Sequence, residues 1–117
     1  TIQNTILQAN SAKDFKAAFS AYVKYLAADL QLNHFTPTQY SEAGNSLWNE
    51  LERARPEGGT FSKWIKAVKE ERFRCVMSSV KTGMPNAVIK AQRNPSNGAK
   101  AAKIAKALAP SVVAACF

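Results

Sequence analysis

Aspartate and glutamate stop at Glu71, and residues 72–117 contain neither. That stretch carries eight lysines and arginines, while residues 1–71 set eight basic side chains against all eight acidic ones. The whole net charge of +8 therefore lies in the last two-fifths of the chain. An imbalance placed this way points to a polyanionic partner, nucleic acid before an acidic membrane surface.

Metal ligands are scarce as well. Histidine occurs once, at His34, and cysteine twice, at Cys75 and Cys116 in no CxxC spacing. A zinc site needs about four such ligands converging, so neither a metal nor any other cofactor is expected. The cysteines read as two reduced, buried thiols, with a single disulfide as the alternative. No GxxxxGK[ST] loop, GxSxG elbow or HExxH pair is present. "EGG" at 57–59 reads as a turn, and Glu70 and Glu71, adjacent on a helix, point about 100° apart and form no carboxylate dyad. His34 lies at a helix end with no visible catalytic partner. The expectation is a protein that is not an enzyme.

Long apolar runs are missing too, and nothing approaches the ~20 residues a membrane-spanning helix needs. The opening "TIQNTILQANSAKDF" has no basic segment followed by an apolar one, so no signal peptide is expected, and the cytoplasm of a bacterial or host cell is the expected location. Period-two alternation, the mark of strands, is short wherever it occurs.

What is present is helical periodicity in a chain of ordinary globular composition, 46% hydrophobic and 21% charged. The expectation is an all-α, compact bundle of about four to five helices forming one domain over 1–117. Residues 1–71 would be a charge-neutral body and 72–117 a basic region ending in an Ala/Lys-rich helix. Ser11 and Asp14 resemble a capping box, and Phe15, Ala18, Phe19, Tyr22, Val23, Leu26 and Leu30 recur at helical spacing, predicting a helix over 12–32. Thr36, Pro37 and Gln39 open a second helix, to about Ala54, with Tyr40, Ala43, Leu47, Trp48 and Leu51 inside. "RPEGGT" is a turn ending in Thr60 as a cap. Phe61, Trp64, Ile65, Val68, Phe73, Val76, Met77 and Val80 then carry a stripe to about Lys81. Gly83 is expected to stop that helix, with a short one over 86–92 after Pro85. "RNPSNG" is a loop, and a last helix over 98–109 is expected to end or break at Pro110, with "SVVAACF" returning to the core.

The basic residues Arg72, Arg74, Lys81, Lys90, Arg93, Lys100, Lys103 and Lys106 are the candidate phosphate contacts. On the last helix Lys100, Lys103 and Lys106 oppose Ala101, Ile104, Ala105 and Leu108. That apolar face, mostly alanine, has little bulk to insert into lipid, so no membrane contact is expected. Residues 74–94 resemble a helix-turn-helix motif, with a glycine turn at Gly83 and Ile89 six residues later. The resemblance implies that Asn86, Lys90 and Arg93 face base edges and phosphates; an ordinary helical corner is the competing reading. Trp48, Phe61, Trp64 and Phe73 lie on apolar stripes and read as core.

The leading expectation is a non-enzymatic nucleic-acid-binding protein, for DNA or RNA. The alternatives are a virus- or mobile-element-encoded inhibitor, anti-CRISPR-like, that docks on a protein partner, and a nucleocapsid-type assembly subunit.

Overall fold

Two helices in this chain begin where a side chain meets the free N–H groups of a first turn. Ser11 Oγ accepts the Asp14 N–H at 3.1 Å. At the second start Thr36 Oγ1 accepts from the Gln39 N–H at 3.1 Å, and Gln39 Oε1 accepts from the Thr36 N–H at 2.8 Å. That reciprocal pair is a complete capping box. The computed structural model describes residues 6–9, 11–53, 66, 72–93 and 100–117. It contains the long helices α1 (Ala12–Asp29), α2 (Pro37–Arg53), α3 (Phe73–Arg93) and α4 (Lys100–Cys116), and no strand among the described residues. The expected all-α bundle is the fold. Thr60, the stripe from Phe61 to Val68, the "RPEGGT" turn and the loop after Arg93 lie outside the described residues.

α1 and α2 form one hairpin. α1 closes with Gln31 in the left-handed region, φ 56°, where the Gln31 N–H reaches the Ala28 carbonyl at 3.0 Å and the Leu32 N–H the Ala27 carbonyl at 2.9 Å. Glycine usually fills this position. Across the hairpin Trp48 packs on Phe15 and Phe19, with ring centroids 4.6 and 5.7 Å away. Gly44 brings the two backbones together, since a Cβ there would lie 2.7 Å from Ser20 Cα. The buried Ser20 hydroxyl donates to the Ser41 carbonyl.

α3 and α4 form the other hairpin and approach closely at Gly83, where a Cβ would meet Leu108 Cδ1 at 2.7 Å. The hairpins join where α2 packs broadly on α4, whereas α1 and α3 barely meet. Tyr22 reaches across that gap to the Met77 carbonyl at 3.4 Å. The radius of gyration, 13.4 Å, is what a compact globule of this length should have.

Three expectations need correction. First, α3 runs unbroken through Gly83 and Pro85, so no short helix over 86–92 exists by itself. Second, α4 runs through Pro110 to Cys116 instead of ending there. An interior proline costs about 3 kcal/mol, largely through the lost bond to the carbonyl four residues back. Here those carbonyls belong to Lys81 and Lys106, both exposed residues that water can serve. Beyond Pro85 the helix buries Ala87, Val88 and Ala91; beyond Pro110 it buries Val112 and Cys116. At about 1.5–3 kcal/mol for a large apolar side chain such as Val88 or Val112, with the smaller buried side chains adding to it, continuing the helix offsets the break.

Third, Cys75 and Cys116 are joined in a disulfide, with Cα atoms 5.6 Å apart, rather than being two reduced thiols. Neither cysteine offered a helical partner by sequence spacing. The antiparallel packing of α3 on α4 sets the first turn of one beside the last turn of the other.

Candidate nucleic-acid interface

The continuity of α3 decides how the basic residues are arranged. With no turn at Gly83 the helix-turn-helix reading fails, and Asn86, Lys90 and Arg93 share one continuous helix with Arg74 and Lys81. All five are exposed, but not along a single line. Arg74, Ser78 and Lys81 recur at four and three residues and occupy one strip. Lys90 follows Lys81 by nine residues, about half a turn in net rotation at ~100° per residue, so it flanks the opposite edge. Asn86 and Arg93 fall between those edges.

The two edges have different neighbours. Arg74 and Lys81 border the gap to α1, where they line a cleft of about 300 Å³ with Tyr22, Phe73, Met77 and Ser78. Lys90 borders α4. The contacts Cys75–Cys116 and Gly83–Leu108 fix the antiparallel register, which sets Lys90 level with the first turn of α4. Lys90, Arg93 and the α4 positions of Lys100 and Lys103 thus gather at one end of the second hairpin. Lys103 is half-buried; the side chain of Lys100 lies outside the described residues.

Lys106 stands apart. It is exposed beside a groove of about 420 Å³ lined with Glu50, Ala109, Pro110, Val113 and Ala114. Glu50 turns instead to Arg53, at 2.9 Å, in the ion pair seen among the described residues. Arg72 lies over the Phe117 ring, 5.2 Å from its centroid, and is half-buried. Among the described residues, Arg74, Lys81, Lys90, Arg93 and Lys106 have no carboxylate within ion-pair distance. The basic surface is therefore two clusters and an outlier, with Arg74, Lys81, Lys90, Arg93 and Lys106 exposed.

Reasoning from sequence missed Tyr22, Phe73, Met77 and Ser78 as neighbours of the cations. Ser78 was recoverable, because it falls between Arg74 and Lys81 on their strip. Tyr22 was not, because only the packing of α1 near α3 brings it there. Among the described residues no three His, Cys, Asp or Glu side chains gather as a metal site would require, and no helix is long and apolar enough to cross a membrane. The sequence matches no family model, no curated protein and no solved structure.

Proposed function

We propose that this protein binds nucleic acid without catalysing a reaction on it, through phosphate contacts made by the second hairpin. One observation carries the reading: five exposed cations, Arg74, Lys81, Lys90, Arg93 and Lys106, on a segment without a single acid. A cation on an ordinary protein surface is commonly near a carboxylate, and here none lies within ion-pair distance among the described residues. Each phosphate neutralised releases condensed counterions, and that release drives binding. The contacts are to backbone phosphates, since with the helix-turn-helix gone nothing aims a recognition helix at base edges in a duplex. The Cys75–Cys116 disulfide favours an oxidising compartment over the cytoplasm expected from the sequence, since cytosolic thiols are generally kept reduced.

The test is a binding titration against duplex DNA and structured RNA over a range of salt. If about five phosphates are contacted, affinity should fall roughly 500-fold between 50 and 200 mM monovalent salt. No binding at ~50 mM salt, or affinity indifferent to salt, would overturn the reading. So would capture of a protein partner that survives nuclease treatment while oligonucleotides fail to bind.

A further inference from the structure

We propose that the cleft between α1 and α3 seats one nucleotide unit, its phosphate on Arg74 and Lys81 and its base on the wall behind them. This rests on the nucleic-acid reading and narrows it to a site. The cleft joins two kinds of surface. On its rim stand a planar guanidinium, a hydroxyl and an ammonium, from Arg74, Ser78 and Lys81, on successive turns of α3. Arginine matches a phosphate with two parallel N–H donors, lysine adds a point charge, and the serine hydroxyl can complete the set. Neither cation is held by a carboxylate among the described residues.

The inner wall is apolar. Met77 is 4% exposed and Tyr22 6% exposed, with the Tyr22 hydroxyl turned to the Met77 carbonyl. Phe73 is half-buried at the start of α3. A site for bare phosphate has no need of such a wall. A planar base does, because base stacking on aromatic side chains is a main source of affinity for unpaired strands. At about 300 Å³ the cleft lies at the small end of ligand pockets, suited to one unit and not a folded ligand. A base within a duplex is stacked on its neighbours and cannot enter without being flipped out. The cleft therefore favours an unpaired strand or a free nucleotide, and the cluster at Lys90 and Arg93 contacts phosphates without regard to strandedness.

The experiment uses the full chain and four probes: a short fluorescent single-stranded oligonucleotide, its duplex, a mononucleotide and inorganic phosphate. The single strand should bind at least about fivefold more tightly than the duplex. Ser78→Asp, at an exposed position, should remove that preference with the melting temperature unchanged, and Phe73→Ala should weaken the single strand while sparing the duplex. Lys90→Ala with Arg93→Ala should weaken both probes alike. Competition by the mononucleotide at similar affinity assigns the same seat to free nucleotides; competition only by oligonucleotide assigns it to strands. Equal affinity for single strand and duplex, unmoved by Ser78→Asp, overturns the seat but leaves the nucleic-acid reading standing. Inorganic phosphate competing as well as the mononucleotide also overturns the seat, since the wall then contributes nothing. Failure of every nucleic-acid and nucleotide probe overturns both.

Discussion

Two glycines that look alike in sequence play different parts in the packing. Gly44 faces backbone: a methyl group there would press on Ser20 Cα, which can move only by separating α1 from α2. Gly83 faces the tip of Leu108, a flexible side chain. Gly44→Ala should therefore cost about 1–3 kcal/mol by overpacking. Gly83→Ala should be nearly neutral, because a gain of ~1 kcal/mol in helix propensity offsets a small shift of Leu108. Chemical denaturation of the two variants checks this, and it bears on the corrected motif, since a glycine in a left-handed turn would not tolerate the change. Tyr40 offers a test by pH. Burial raises its phenol above the ordinary value of 10.0, more than nearby backbone groups at Phe35 and His34 lower it, and its hydroxyl donates to the Leu32 carbonyl at 2.7 Å. The neutral phenol is favoured in the fold, so this contribution is complete below pH 10 and is lost as pH rises through the folded-state value. Wild type should lose stability above pH 10 more steeply than Tyr40→Phe, with both measured by denaturant midpoint.

At the level of the element, what could be read ahead of the structure divides between the two hairpins. Helices α1 and α2 were legible because their starts rest on side chains three residues from the groups they satisfy: Ser11 with Asp14, and Thr36 with Gln39. Their buried stripes are regular, and the glycine inside α2 is isolated. Helices α3 and α4 carry the same quality of stripe, interrupted by Gly83, Pro85 and Pro110. Those residues are local stop signals, and the packing that overrides them is tertiary: Met84 and Val88 on one helix, Leu108 and Val112 on the other, all buried. Nothing within ten residues of Pro110 announces that Cys116 meets Cys75. The candidate site was legible in its charges but not in its shape, because the cleft joins Tyr22 to a helix more than fifty residues later in the chain. The disulfide has a consequence for this hairpin. It closes a loop of 41 residues, which on chain-entropy grounds is worth about 4 kcal/mol. Cys75→Ser with Cys116→Ser, or a thiol reductant, should lower stability by up to that amount while α1 and α2 keep their helical signal.

Over the whole molecule, a charge-balanced hairpin and a basic one meet along α2 and α4. The first balances its charges across α1 and α2, where Asp14, Asp29, Glu42, Glu50 and Glu52 sit among lysines and Arg53. The second has no acid at all, and its basic residues stand at the α1 cleft, at the hairpin end and beside the Glu50 groove. A polyanion approaching this molecule meets a nearly neutral hairpin on one side and an unbalanced positive one on the other, which orients the encounter before any contact forms. The division also explains why a single basic ridge is not needed: two clusters along α3, up to about 30 Å apart at 1.5 Å per residue, can engage separate phosphates of one strand or duplex.

Amide chemical shifts mapped during titration with a single-stranded oligonucleotide test this division most directly. Salt-sensitive shifts should concentrate at Phe73–Lys81, around Lys90 and Arg93, and in the first turns of α4, with Tyr22 as the main responder on the first hairpin. Shifts centred on α1 and α2 away from Tyr22, or none at low salt, would contradict the account.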